Sequence, residues 1–344
     1  MWSVLTNDLG KKLRFARNFL RRRMVHVNLQ ISYNCNFRCG ICDFWKEPYR
    51  DKGRLSAAEA AVIANKLNEI GPQIISIGGG EPMLHPELVP IVRALRPHHF
   101  PVMITNGSLV TAAMARQLWQ AGMVEISVSL DYADPHKHDA QRGKPGAFEQ
   151  GVAALKILHA TRTHPEQRVH MISVIVDDNL DEVEPLIELS RDLGITYLVT
   201  LYSHSRGNQP SRAPAGDLSR RLLELKQRHR HFVALRGYLA RFSAAAGRTD
   251  RSRCHAGHNL CNIDCRGMVS FCIDRLEHPA GNLLTDNLRE IESRLLASHR
   301  ANDCRACWTS CRGSIEAILY GRQRLLNAWD YHQMTRPVPL HGRF

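Results

Sequence analysis

No stretch of the 344 residues approaches the roughly 18 consecutive apolar residues that a membrane-spanning helix needs. The N-terminus also lacks the order of a secretory signal, because its basic cluster follows Val4, Leu5 and Leu9 and no apolar block comes after it. The expected compartment is therefore the cytoplasm. No cysteine lies between residues 43 and 253, which argues against a disulfide scaffold spread along the chain. A phosphate-binding lysine loop, a Rossmann fingerprint and a hydrolase elbow are all missing, so three common enzyme classes lose their signatures. The 18 histidines form no metal-type pair that stands out. His229 and His231 flank Arg230 in a basic stretch, and His85 reads as structural. No low-complexity tract appears.

Hydrophobic residues make up 44% and charged residues 23%, an ordinary globular composition with enough chain for a sizeable core and one smaller domain. The ten cysteines are bunched: three at 35–42 and seven at 254–311. Bunching in an enzyme-sized chain points to metal thiolates in a reducing compartment. A net charge of +13 suits an anionic substrate, a nucleic acid or an acidic membrane surface, or reflects the composition of the source organism; it selects among none of these.

From residue 25 to about 202 the chain repeats strand and helix. Strands are expected at Val25–Ile31, Ile74–Ile77, Val102–Thr105, Glu125–Asp131, Val169–Val176 and Tyr197–Leu201. Between them run five helices, carrying Ile63, Leu67 and Ile70, then Leu88–Leu95, Met114 and Leu118, Phe148 and Leu155, and Leu186–Leu193. Six strands with crossovers of this length imply a parallel α/β sheet, either open and doubly wound or curled toward a barrel. In both, ligands bind at the C-terminal strand ends, where Gly78–Glu81, Thr105–Gly107 and Ser129–Asp131 fall. Residues 203–216 read as a loop and 217–230 as a basic helix, giving a basic N-terminal segment at 1–24, a core at 25–230 and a Cys-rich domain at 231–344. In the first segment Leu9, Leu13, Ala16 and Leu20 share a helical face among basic residues, which suits either a membrane surface or packing against an open barrel edge.

Cys35-x3-Cys39-x2-Cys42 follows the first strand. Three thiolates in one tight loop leave one iron of a four-iron cluster open, as a reactive metal site requires. This spacing resembles the signature of the radical S-adenosylmethionine (SAM) superfamily, and Gly79-Gly80-Glu81-Pro82 after the second strand resembles its element for the SAM amino group. The resemblance covers about 25–202 and implies a partial (β/α)6 TIM-like barrel. It also implies a 4Fe–4S cluster and reductive cleavage of SAM to a 5′-deoxyadenosyl radical that abstracts hydrogen from a substrate. Glu81 would pair with the SAM ammonium, and Thr105 and Ser129 would hydrogen-bond its ribose or carboxylate. Asn106 and Asp131 would assist, and Ile41 would lie near the adenine.

The C-terminal cysteines, with Gly267 and Gly281-Asn282, resemble the SPASM and twitch auxiliary-cluster extensions of that superfamily. Two further clusters with full thiolate ligation need eight cysteines and this region has seven, so one auxiliary cluster is expected. Its ligands would be Cys254, Cys272, Cys304 and Cys307, with Cys311 the closest substitute; Cys261 and Cys265 are ligands or ordinary buried thiols. The implied partners are SAM, a reductant such as flavodoxin or ferredoxin, and a peptide, sugar or other small molecule, anionic if the charge is a guide. The shortness of the segment before the first strand leaves no room for a leader-peptide domain, which weighs slightly against a stand-alone peptide maturase. The rival class is a zinc- or cluster-containing nucleic-acid-binding protein, and an RNA-modifying radical SAM enzyme would satisfy both lines. Arg142-Gly143 is read as an anion contact or a surface turn.

Overall fold

In the computed structural model, which describes residues 2–46, 49, 53–250, 252–305 and 307–340, the apolar runs become six parallel strands. These are β1 (His26–Ser32), β2 (Ile74–Gly79), β3 (Phe100–Thr105), β4 (Glu125–Ser129), β5 (Arg168–Ile175) and β6 (Thr196–Leu201). The helices of this half are α1 (Trp2–Leu20), α2 (Ala57–Ile70), α3 (Leu88–Leu95), α4 (Ala112–Ala121), α5 (Pro135–Arg142), α6 (Ala147–Ala160) and α7 (Val183–Asp192). After β6 come α8 (His204–Gly207), α9 (Leu218–Arg228), α10 (Arg236–Leu239) and α11 (Phe242–Ala246). The C-terminal region adds β7 (Leu260–Ile263), β8 (Met268–Ser270), β9 (Gly281–Asn282), α12 (Leu288–Ala301), α13 (Ser310–Leu319) and α14 (Arg324–Thr335).

Pairing order settles what periodicity left open. The sheet runs β6-β5-β4-β3-β2-β1-β7-β8-β9, so the six core strands lie in chain order. A doubly wound sheet reverses direction at a switch point. Here each crossover steps the same way, and right-handed connections then put their helices on one face. The sheet therefore curls into a partial barrel. β7 pairs in parallel with β1 through His26↔Leu260 to Leu29↔Ile263, so the C-terminal region extends the same sheet.

The core follows from the sequence pattern. Ser56 and Glu59 form a reciprocal capping box that starts α2, which then buries Ile63, Leu67 and Ile70 in the cluster that holds Val27, Leu29, Ile75 and Ile77. Burial of one such side chain stabilises by roughly 1.5–3 kcal/mol. α1 does not pack through its leucine face. Lys11 donates to the carbonyls of Arg96 (2.9 Å) and His99 (3.3 Å), Asn18 donates to Ile70 (2.8 Å), and Leu9, Leu13 and Leu20 remain 60%, 63% and 81% exposed. The polar side thus satisfies helix-end carbonyls that would otherwise be orphaned.

One cross-strand ion cluster fastens β4 to β5. Glu125 lies opposite Arg168 in the ladder, with Arg168 Nε at 3.4 Å and His170 Nε2 at 3.1 Å from its Oε2. Burial pushes the Glu125 carboxyl up, but His170 and Arg168 outweigh it and bring it down to about 2. A depressed carboxyl stabilises the fold above its unfolded value near 4.5, and that contribution fades as pH falls toward 2. Glu125→Gln is expected to remove roughly 3 kcal/mol at pH 7 and to flatten the pH dependence of stability between pH 5 and 3. Urea titrations across that range measure both effects.

Candidate metal centre

The three N-terminal cysteines sit on the loop that leaves β1, and its backbone is fastened on every side. Gly80 N–H donates to Ser32 (2.9 Å) and Glu81 N–H to Asn34 (2.8 Å), joining the loop to the end of β2. Gly40 N–H donates to Gln141 (2.9 Å) at α5, and Asp43 N–H to Arg206 (2.9 Å) at α8. Asn36 bonds Ser108 (2.9 Å) and receives Asn106 Nδ2 (3.0 Å) beyond β3. Glycine is required at β2's end: Gly79 has φ +121°, and a Cβ there would overlap the Ser32 carbonyl oxygen. A Cβ at Gly80 would overlap the Asn34 carbonyl. The close approach that the two glycines permit is thus made by the cysteine loop itself.

The candidate SAM residues converge at the same strand ends, with several already engaged to one another. Glu81 is 3% exposed; its Oε1 accepts from Thr105 Oγ1 (2.6 Å) and Met83 N–H (3.0 Å), its Oε2 from Asn106 N–H (2.8 Å). Burial raises this carboxyl despite the three donors. One lone pair on Oε2 is left over in that count. Pro82 opens a short 3-10 turn behind it, and Ser129 is half-buried at the end of β4. Ile41 is buried in an apolar cluster with Phe37, Tyr132, Val176 and Tyr202. Asp131 is fully enclosed: its oxygens accept from Gln141 Nε2 (2.7 Å) and Val174 N–H (2.9 Å), and Oδ2 forms an ion pair with Arg142 Nη2 at 2.6 Å.

Of the two readings of Arg142, the structure supports contact with an anion. It ends α5, is 8% exposed, and its guanidinium lies beside the Cys39 sulfur while pairing with Asp131. Gly143, with φ +58°, caps the helix and turns the chain away. α5 itself was legible only by its ends, Asp134-Pro135 and Gly143, because its own residues carry no apolar stripe.

The seven C-terminal cysteines divide. Cys254, Cys272, Cys304, Cys307 and Cys311 lie within electrostatic reach of one another through shared neighbours. Cys261 faces Met24 at 3.5 Å between β7 and the core, and Cys265 is buried beside Tyr33. Both belong to the main hydrophobic core. Two arginines that the sequence did not single out line this region. Arg206 pairs with Asp274 (3.2 Å) and lies within electrostatic reach of Cys42, Cys272 and Cys311. Arg312 pairs with Glu316 (3.0 Å), donates to the Cys307 carbonyl (2.6 Å), and faces Cys254.

Both cysteine sets fit a metal cluster by the chemistry of their donors. Burial pushes the Cys35 and Cys307 thiols up to about 12 and Cys254 up to about 11, with Cys39, Cys42 and Cys272 also raised. Thiolates there need a cation at the sulfur itself, which a metal supplies outright. Sulfur acceptors are already met by donors, Phe37 N–H on Cys35 (3.5 Å) and Asp274 N–H on Cys272 (3.4 Å). Among the described residues no helix is long and apolar enough to cross a membrane.

Residues 29–190 match the family model of the radical SAM superfamily. The mycofactocin maturase MftC of Mycolicibacterium smegmatis is 29% identical over 317 residues, covering 86% of this chain and 79% of its own length. An AdoMet-dependent heme synthase of Methanosarcina barkeri is 30% identical over 198 residues, and this match spans 56% of the chain and only 54% of that enzyme. Among solved structures, Streptococcus suis SuiB bound to precursor peptide SuiA superposes with a TM-score of 0.62 at 15% identity, covering 85% of this chain and 69% of SuiB. The anSMEcpe structure with bound AdoMet also gives 0.62, at 14% identity and 90% and 95% coverage. At these identities the two structures establish the fold.

The Asp131–Arg142 pair gives a direct test. Asp131→Asn leaves a buried guanidinium with no counter-charge, so the loss is expected to be about 3–5 kcal/mol, far above that of a surface pair. Anaerobic denaturant unfolding of the iron-loaded protein measures it, and a change below about 1 kcal/mol would show the pair to be solvated.

Proposed function

Because the chain belongs to the radical SAM superfamily, we propose that it activates a peptide substrate through reductive cleavage of SAM. When bound, a 4Fe–4S cluster supplies the electron that splits the SAM sulfonium into methionine and a 5′-deoxyadenosyl radical, which takes the substrate hydrogen. The observation that carries the peptide reading is the reach of the match to the maturase MftC, whose 86% coverage extends beyond the six-strand core.

In this reading Cys35, Cys39 and Cys42 hold the core cluster. Glu81 takes the SAM ammonium on the lone pair its three donors leave, as a carboxylate would for a charge-assisted bond. Gly79, Gly80 and Pro82 shape that turn; Thr105, Asn106 and Ser129 offer polar groups at the strand ends; Ile41 supplies apolar surface. Asp131 acts through Arg142, fixing its guanidinium against Cys39. Cys254, Cys272, Cys304 and Cys307, with Cys311 as the substitute, hold one auxiliary cluster. Residues 25–230 form the core, 231–344 the auxiliary domain and 1–24 the basic segment. A flavodoxin or ferredoxin donates the electron in the cytoplasm.

Anaerobic reconstitution is expected to give about eight irons per chain and dithionite-driven formation of 5′-deoxyadenosine. Replacing Cys35, Cys39 and Cys42 by Ala should leave about four irons and no product. Stoichiometric zinc with no SAM cleavage would overturn the assignment.

The exposed face of α1 supports one further feature, a contact with an anionic membrane surface. Leu9, Leu13 and Leu20 fall within about 40° of one another around the helix. Lys12, Arg14, Arg17 and Arg21 are exposed beside them. A single amphipathic helix anchors weakly, so sedimentation with phosphatidylglycerol vesicles should be partial and reduced by salt. It should disappear in a Leu9→Glu/Leu13→Glu variant; equal sedimentation of variant and parent would remove this reading.

A further inference from the structure

No histidine pair stands out in the sequence, yet the fold gathers three histidines at one point. His255 and His258 lie in the turn before β7, and His299 lies in the last turn of α12. One ring nitrogen from each falls within 4.8 Å of the others, and the His299 ring is 5.4 Å from His255 and 5.3 Å from His258. All three are half-buried. No carboxylate or thiol belongs to the group.

Three details make this more than a chance grouping. His299 Nδ1 lies 3.2 Å from the Ala256 carbonyl oxygen, the partner that keeps a proton on Nδ1 and leaves the Nε2 lone pair for a metal. The His255 ring stacks flat on Tyr320 at 3.7 Å and 5°, which fixes its plane. Its Nδ1 is buried and makes no hydrogen bond. An imidazole nitrogen enclosed without a partner is costly unless something accepts its lone pair or proton.

We propose that His255, His258 and His299 form a binding site for a first-row divalent metal ion such as zinc, separate from both cysteine sets. Three imidazoles and one open position are an established donor set for zinc. Zinc–nitrogen bonds of about 2.0–2.1 Å place ligands about 3.4 Å apart, so the rings close by small side-chain rotations on binding. Two cations stand near: Arg22 lies over the Tyr320 ring at 5.1 Å, and Arg253 donates to the His299 carbonyl at 2.6 Å. They favour an oxygen anion such as hydroxide in the fourth position. The ion would clip the segment after Cys254 to the helix end before Cys304, holding together two stretches that bring cysteines to the same group. The site rests on the three imidazoles and is independent of the peptide reading.

The test uses the iron-loaded enzyme equilibrated with micromolar zinc, then desalted, with metal analysis and zinc-edge X-ray absorption. The expected result is about one zinc per chain with a nitrogen and oxygen shell at about 2.0 Å and no sulfur at about 2.3 Å. His258→Ala and His299→Ala should each lose that zinc while keeping the parent's iron content. No zinc retained by the parent, sulfur in its shell, or zinc retained by both variants would overturn the proposal. The parent's spectrum decides alone if a variant does not fold.

Discussion

The site depends on how closely the loop after β1 lies against the end of β2. Ser32 and Asn34 offer their carbonyls to Gly80 and Glu81, and no side-chain carbon fits at Gly79 or Gly80 without displacing that backbone. This contact sets the position of the cysteine loop relative to Glu81. Glu81 in turn accepts from Thr105 and the Asn106 backbone, carrying the tie on to β3. From β4, Asp131 holds Arg142 against Cys39. Strand order makes these contacts available: β1, β2, β3 and β4 are neighbours in the sheet, so their C-terminal ends lie side by side. A sheet with the same strands in another order would scatter the same residues.

Electrostatics explains why arginine gathers there. An isolated ion taken from water costs several kcal/mol even after relaxation, so a buried guanidinium persists only with partners. Arg142 has Asp131, Arg206 has Asp274, and Arg312 has Glu316. Each such pair is close to neutral, and its cationic end points toward sulfur. The arrangement stabilises negative charge on thiolates without leaving a bare cation when they are protonated. The three pairs cancel internally and add nothing to the net charge of +13, which is carried by basic residues other than these. Composition does not separate the two kinds, because it counts arginines without locating them.

Much of the framework was legible from the sequence. The six strands were readable because runs such as Ile74–Ile77 and Val169–Val176 are short and predominantly apolar, and the cysteine loop because its three cysteines fall within eight residues. The barrel was not separable from the open sheet, since periodicity describes each strand alone and the answer lies in which strands pair. α5 was missed for a related reason: a polar helix has no apolar stripe, and only Asp134, Pro135 and Gly143 mark it. Arg142 was therefore read as either an anion contact or a surface turn, and the pairing with Asp131 decides for the first. The leucine face of α1 was read correctly as a stripe, yet the helix docks by Lys11 and Asn18, whose partners are carbonyls far away in sequence. Cys261 and Cys265 were read as ligands or buried thiols alike, because spacing alone does not say that β7 and the turn after it bury both in the main core.

The segment at 203–216, which composition marks as a plain loop, has the most to do with joining the two cysteine sets. Its Arg206 carbonyl receives Asp43 N–H, one residue past Cys42, while its guanidinium and Ser203 both bind Asp274, two residues past Cys272. Gly207 is pressed against Tyr202 and the Ile41 carbonyl so closely that no Cβ fits. One short stretch thus fixes the spacing between a residue beside each set. The parallel pairing of β7 with β1 fixes the same relation a second time, from the opposite side of the chain. Two independent tethers between the same parts leave little freedom for one set to move without the other. The C-terminal region is therefore held to the core by backbone pairing and by a half-buried ion pair, rather than hanging on a flexible linker.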